Sequence, residues 1–177
     1  MSSEIKANVI SESSSGSGVT IDGVSLKDSF VTQPLLPHFR VYGTTGNTAV
    51  ADDAILPFGQ QFSNIGSHWN LSDHYFLTPI TGVYLMTLQY YQYHGDGVLV
   101  EYVAKYSDND GSFSNPVIVG RLRADATDSA SDHTYWFSGS IYLPANKRFY
   151  YINESGGSRT HYAMTAKHTQ ATGTLIG

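Results

Sequence analysis

The run Val83–Tyr93 (VYLMTLQYYQY) limits what this chain can fold into more than any other stretch. One alternate set of residues is Tyr84, Met86, Leu88 and Tyr90; the other is Val83, Leu85, Thr87, Gln89, Tyr91 and Tyr93. A period of two marks a strand, and both sets are substantially apolar. Such a strand is expected between two packed surfaces, its own core and a neighbouring subunit. Val83, Leu85, Tyr91 and Tyr93 are the candidate subunit-contact residues. Tyrosine suits that role because it buries a large area at low entropic cost and keeps a polar tip, although half-wet strands favour tyrosine in any case.

Short strands with turn signals between them surround this run. Phe39–Tyr42, Ala54–Phe58, Trp69–Leu71 and His74–Leu77 read as strand pieces, and Thr44–Asp53 as a polar loop. In Val98–Tyr106, Val98, Val100, Tyr102 and Ala104 alternate with a wetter face of Leu99, Glu101, Val103 and Lys105. Pro116–Leu122 follows the loop Ser107–Asn115, and Ala124–Asp132 reads as a second polar loop. Thr134–Leu143 and Arg148–Asn153 pair across Pro144–Lys147, and Tyr162–Ile176 supplies one or two closing strands. Roughly eight to ten short strands and no helix predict an antiparallel β-sandwich.

Residues 1–36 differ from the rest, and the prolines of Gln33–Pro37 set the boundary with a main domain at 37–177. Glu4–Glu12 and Val19–Lys27 alternate like half-buried strands around the Ser13–Gly18 linker, with Asp22-Gly23 as a hairpin turn. So short a segment cannot repay its own chain entropy, so it is expected to dock on another copy, a larger partner or the main domain. Its attachment residues are Val9, Ile10, Val19, Ile21, Val24 and Leu26.

Composition removes several function classes. A net charge of −5 gives no electrostatic footprint for nucleic acid or an anionic membrane. Without cysteine there is neither a disulfide nor a Cys-based zinc site. No run approaches the ~18 apolar residues of a membrane span, and MSSEIKANVI lacks the pattern of a signal peptide. A soluble cytosolic product is expected, on which the sequons at Asn70 and Asn153 are accidental. No Gly-x-Ser-x-Gly elbow presents a nucleophile, and His38, His68, His74, His94, His133, His161 and His168 lack ligand-pair spacing, so no enzyme is expected.

Two weaker chemistries remain. Asp108 and Asp110, with Asn109, have the oxygen density that calcium prefers, and Asp125, Asp128 and Asp132 form a second cluster. Neither completes an EF-hand loop, and solvated turn residues are the plainer reading. Trp69, Tyr75 and Tyr135 are candidates for stacking on a sugar.

The order Leu56/Phe58, Asn64-Ile-Gly66, Trp69, Phe76, Pro79, Gly82 and Tyr84 resembles the globular domain shared by complement C1q and tumour necrosis factor-like proteins. Ser138–Leu143 and Phe149–Tyr151 resemble the paired later strands of that family, with Ala145-Asn146 where Gly-Asp is usual. The resemblance runs over about 39–176 and implies a ten-strand jelly roll that associates as a homotrimer. Some domains of that kind bind calcium near the trimer axis, which identifies no ligand here. Ser11–Ser15, Gly18–Val24 and Leu26–Asp28 are similar to a short module of phage virion proteins. Together the two resemblances imply a bacteriophage virion protein, of capsid-decoration, head-fibre or tail-fibre type. It would be made in the bacterial cytoplasm, displayed on the virion surface and anchored to capsid or tail proteins by its arm. A host-glycan or receptor-binding module at a fibre tip is the alternative.

Overall fold

A computed structural model of the chain describes residues 19–21, 24–27, 30–32, 36–43, 46–94, 99–125, 131–162 and 169–177. Side chains are described for 36–43, 46–91, 99–124, 134–160 and 169–177. The chain divides into two units, Met1–Leu36 and Pro37–Gly177. In the first, β1 (Val19–Ile21), β2 (Val24–Lys27) and β3 (Phe30–Thr32) form an antiparallel sheet in that order. Ile21 pairs with Val24, so β1 and β2 form an antiparallel hairpin; the expected turn Asp22-Gly23 lies outside the described residues. The expected strand Glu4–Glu12, with Val9 and Ile10, lies outside the described residues. Val19, Ile21, Val24 and Leu26 fall on β1 and β2.

In the second unit the strands are β4 (His38–Tyr42), β5 (Asn47–Val50), β6 (Gln60–Ile65), β7 (Trp69–Asn70), β8 (Tyr75–Leu77) and β9 (Gly82–His94). They continue with β10 (Leu99–Asp108), β11 (Val117–Asp125), β12 (Ser131–Leu143), β13 (Lys147–Asn153), β14 (Arg159–Tyr162) and β15 (Gln170–Leu175). One five-stranded sheet has the order β12-β9-β15-β4-β6, the other β11-β10-β13-β8-β7, and β14 pairs with β5. Every pairing is antiparallel, and no helix occurs among the described residues. Between the two sheets lies the main core, in which Phe39, Tyr84, Met86, Leu88, Tyr102, Phe149 and Tyr151 are fully buried.

The residues that carried the family resemblance act together as a structural lock. Leu56, Phe58, Trp69, Phe76 and Tyr84 are all core residues. Phe39 stacks at 4.6 Å on Trp69 and 4.9 Å on Phe76, which meets Tyr84 at 5.6 Å. Asn64 spans the turn: its Nδ2 donates to Trp69 O (3.0 Å), and Trp69 N donates to its Oδ1 (2.9 Å). Gly66 sits there at φ +80, where a Cβ would run into the His68 ring. Tyr84 closes its own turn by donating to Ile80 O at 2.7 Å.

Several local expectations need correction. Thr44–Asp53, expected as a loop, contains β5, and β6 lies between Phe58 and Trp69, where the sequence predicts no strand. Both strands expose most of their residues, so the apolar alternation that marks a half-buried strand is absent. Ala54–Phe58 is not a ladder strand; it follows β13 through one bridge, Ile55 to Ile152, and Leu56 N donating to Tyr151 O (2.9 Å). Part of the expected loop Ala124–Asp132 belongs to β11 and β12. β3 carries no signal recognised in the sequence.

Candidate interaction surface

Burial alternates strictly along β9 from Val83 to Tyr91. Tyr84, Met86, Leu88 and Tyr90 face the core, whereas Val83, Leu85, Thr87, Gln89 and Tyr91 stay partly or fully exposed. Registers extend that outward set across the sheet. Trp136, Gln89, Gln170, Tyr42 and Gln60 form one row; Ser138, Thr87, Thr172, Arg40 and Ser63 form the next. Ser140, Leu85, Thr174, His38 and Ile65 make a third. Trp136 is 67% exposed, Tyr142 62% and Leu85 41%. No chain segment among the described residues covers them.

The floor of this face is a ladder of polar side chains satisfied from strand to strand. Gln170 Nε2 donates to Gln89 Oε1 (2.7 Å), and Gln170 Oε1 accepts from Arg40 Nε (3.1 Å) and Nη2 (3.0 Å). Thr87 and Thr172 share a hydroxyl bond of 2.6 Å. His38 bridges Thr174 Oγ1 (2.7 Å) and Ser63 Oγ (2.9 Å) through its two ring nitrogens. Burial, reinforced by the nearby Arg40 charge, holds the His38 pKa below its usual value, which favours the neutral imidazole with one nitrogen donating and the other accepting. Arg40 lies 4.5 Å over the Phe62 ring, which stacks on Tyr42 at 4.7 Å. Arg40, Thr87, Gln89, Trp136, Gln170 and Thr172 enclose a cleft of about 290 Å³.

Of the four expected subunit-contact residues, Val83, Leu85 and Tyr91 stand on this outward face. Tyr93 continues their register in β9, opposite Asp132, but its side chain lies outside those described. The sugar-stacking candidates are not brought together. Trp69 is only 3% exposed, its Nε1 donating to Phe58 O (3.0 Å), so its faces serve the core. Tyr75 is buried, with Arg148 4.6 Å over its ring and Phe113 at its edge. Tyr135 packs inward against the core, opposite Tyr90. One residue further on, Trp136 is the aromatic that reaches solvent. The sequence held the signal for it: in Thr134–Leu143, Trp136 and Tyr142 alternate with Tyr135, Phe137, Ile141 and Leu143, alongside Ser138 and Ser140. Arg40 was also missed, because a single arginine in a short strand has no pattern.

Asp108 and Asp110 are already engaged. Asp108 pairs with Lys147 and accepts from Asn115 Nδ2 (2.6 Å); those two partners hold its pKa below the ordinary carboxylate value. Asp110 accepts from Ser114 Oγ and from the backbone N–H of Ser112 (3.0 Å), which lowers its pKa to about 2. An ammonium within the cluster and oxygens spent on the turn do not fit a calcium ion, which takes six to eight oxygen ligands (about 2.3–2.6 Å away). Asp128 lies outside the described residues, as do the side chains of Asp125 and Asp132.

The sequence matches no family model and no curated protein. By structure it is similar to Eiger TNF from S. frugiperda, with a TM-score of 0.67 and 15% identity over 80% of this chain and 93% of that one. The globular domain of zebrafish complement 1qA gives 0.61 and 14%, covering 80% and 98%. Murine APRIL at pH 5.0 gives 0.60 and 10%, covering 80% and 99%. The chain therefore has the C1q/TNF-type jelly-roll fold, an all-β assembly of antiparallel sheets.

Proposed function

We propose that this chain is a non-enzymatic structural protein of a bacteriophage particle. Three copies associate through the open sheet face of 37–177, and the unit 1–36 attaches each trimer to capsid or tail proteins at the virion surface. The carrying observation is that face: Trp136, Tyr142 and Leu85 lie exposed on the sheet whose other side forms the core. β12, thirteen residues long, is moreover an edge strand of that sheet, and long edges with exposed aromatics call for a partner. Support for the particle comes from the resemblance of Ser11–Asp28 to a virion-protein module, and support for the trimer from the C1q/TNF-type fold. Function is then buried inter-subunit area, on the order of 1,200 Å² or more per contact, with no turnover.

Light scattering on the full chain tests the assembly, and a trimeric mass is expected. Deletion of residues 1–28 is expected to leave the trimer intact and abolish co-sedimentation with particles. A monomeric full chain, or a truncated chain that still joins particles, overturns the reading.

A second reading, recognition of a neutral host glycan, has one observation in its favour. Ser67, His68, Asn70, Tyr75 and Leu77 line a cleft of about 330 Å³ with hydroxyl, amide and imidazole groups beside an apolar wall. A glycan array should then show saturable binding that Asn70→Ala removes; an array without binding eliminates it.

A further inference from the structure

We infer that the Arg40 cleft receives a carboxylate side chain from a neighbouring copy of this chain. The inference rests on the homotrimer reading and specifies what the open face must be offered.

Arg40 differs from the other cations described in the unit. Arg121, Arg123, Lys105 and Lys147 each contact a carboxylate: Glu101, Glu101, Glu154 and Asp108 respectively. Arg159 is spent on the carbonyls of Leu99, Ser155 and Ser158, and Arg148 on Asn109 and two aromatic rings. Arg40 instead stands among neutral groups. Of its five N–H donors, Nε and one on Nη2 go to Gln170 Oε1, and no described residue accepts the other three. Asp132 shares the register of this face, but it pairs with Tyr93, six residues along β9 from Thr87, and so lies ~20 Å away along the strand.

The cation is held in place all the same. Phe62 beneath the guanidinium and Gln170 beside it fix its plane, leaving the remaining donors at the cleft. A planar fork presented in this way suits a bidentate carboxylate. The opposite wall is the Trp136 indole, against which the stem of an acidic side chain can pack. On the floor, the Thr87 and Thr172 hydroxyls satisfy each other.

Charge identifies the occupant as a second copy. A subunit laid over this face with only apolar groups would leave Arg40 buried without a counter-charge, which is strongly unfavourable. The chain carries 15 Asp and Glu against 10 Lys and Arg, so surplus carboxylates are present on every copy.

The test couples assembly with zero-length chemistry. Arg40→Glu sets two carboxylates face to face and should weaken the trimer at least about tenfold, while Arg40→Lys changes it only a few-fold. Carbodiimide links amines to carboxylates but leaves guanidinium untouched. R40K should therefore give an inter-subunit cross-link that wild type and R40A do not, and mass spectrometry of the linked peptide names the acid. A trimeric R40K with no link above R40A, a link within one chain, or an R40E variant that associates as tightly as wild type overturns the inference and leaves the trimer standing. A monomeric wild type removes the trimer reading and this inference together.

Discussion

The two sheets of the jelly roll share one core but treat their outer faces in opposite ways. The sheet β11-β10-β13-β8-β7 covers its own outside. Tyr75, Val103, Tyr150 and Ile152 form a second buried cluster there, closed over by Ile55, Leu77 and Phe113. Phe113 meets Tyr150 at 5.0 Å and Tyr75 at 5.8 Å, and Arg148 lies over both Phe113 and Tyr75. Beside them Glu101, only 5% exposed, contacts Arg121, while Glu154 contacts Lys105. On the opposite sheet, no described loop covers Trp136, Tyr142 or Leu85. The apolar cluster closed by its own loops contributes to folding; the exposed aromatic and aliphatic groups of the open face contribute only when a partner arrives. The difference separates residues that hold the subunit together from residues left available to a partner.

Truncating a closed-face residue should give the largest effect. Tyr150→Ala removes the ring that Phe113 packs on, and should lower unfolding free energy by about 3–5 kcal/mol in urea titration. Subunit stoichiometry should not change. A loss under about 1 kcal/mol would show that the loop cover is ornamental.

Trp136→Ala is the counterpart on the open face. Subunit folding stability should stay within about 0.5 kcal/mol, whereas association should weaken by about 2 kcal/mol, as for an aromatic at the centre of an interface. Sedimentation equilibrium reads the second quantity; an unchanged trimer would remove Trp136 from the contact.

Arg121→Ala returns to the closed face and leaves the buried Glu101 carboxylate with Arg123 alone, at 3.9 Å. Arg121 is itself about half exposed, so solvent screens part of the pair, and a loss of about 1–2 kcal/mol is expected in thermal or urea unfolding. Arg121→Gln should recover part of it; a stable Arg121→Ala would mean that Arg123 compensates fully.

The smallest effect is the pH dependence. Burial lowers the pKa values of His38, His68 and His74, with the Arg40 charge adding to the shift at His38. The folded state therefore binds fewer protons than the unfolded chain. Stability from these groups is complete above the ordinary histidine value, about 6.5, and is lost as pH falls from there through the lowered values. The lowered carboxylates Asp108 and Asp110 act in the same direction, but only at more acid pH. Tm should thus fall modestly between pH 7.5 and pH 5, and His38→Gln, which keeps a donor and an acceptor, should flatten the slope. A Tm that rises on acidification would contradict this sign.

Much of the fold is legible in the sequence. Tyr84, Met86, Leu88 and Tyr90 are separable from Val83, Leu85 and Tyr91 by alternation alone, and the pairing of β1 with β2 is foreshadowed by alternation on either side of a turn signal. The Asn64, Gly66 and Trp69 spacing was legible as well, because each residue there has a local reason: a side-chain bridge, a positive φ, an anchored indole. What stayed hidden lacks local reasons. β5 and β6 expose most of their residues, so nothing in them alternates. Ser107–Asn115 reads as a solvated turn, yet Phe113 folds back at φ +55 onto Tyr75 and Tyr150. Trp69 and Tyr75 looked available for a ligand because an aromatic's identity does not reveal which of its faces are occupied.

By itself, the sequence determined the period, the turns and the partition of β9 into two apolar sets, since these depend on neighbours within a few residues. Only the tertiary structure decided which of the two outer sheet faces is closed. That outcome depends on whether a loop distant in sequence, such as 109–116, returns to cover a face. The outer side of β10 and β13 is covered in this way, whereas Trp136 and Arg40 on β12 and β4 are left open.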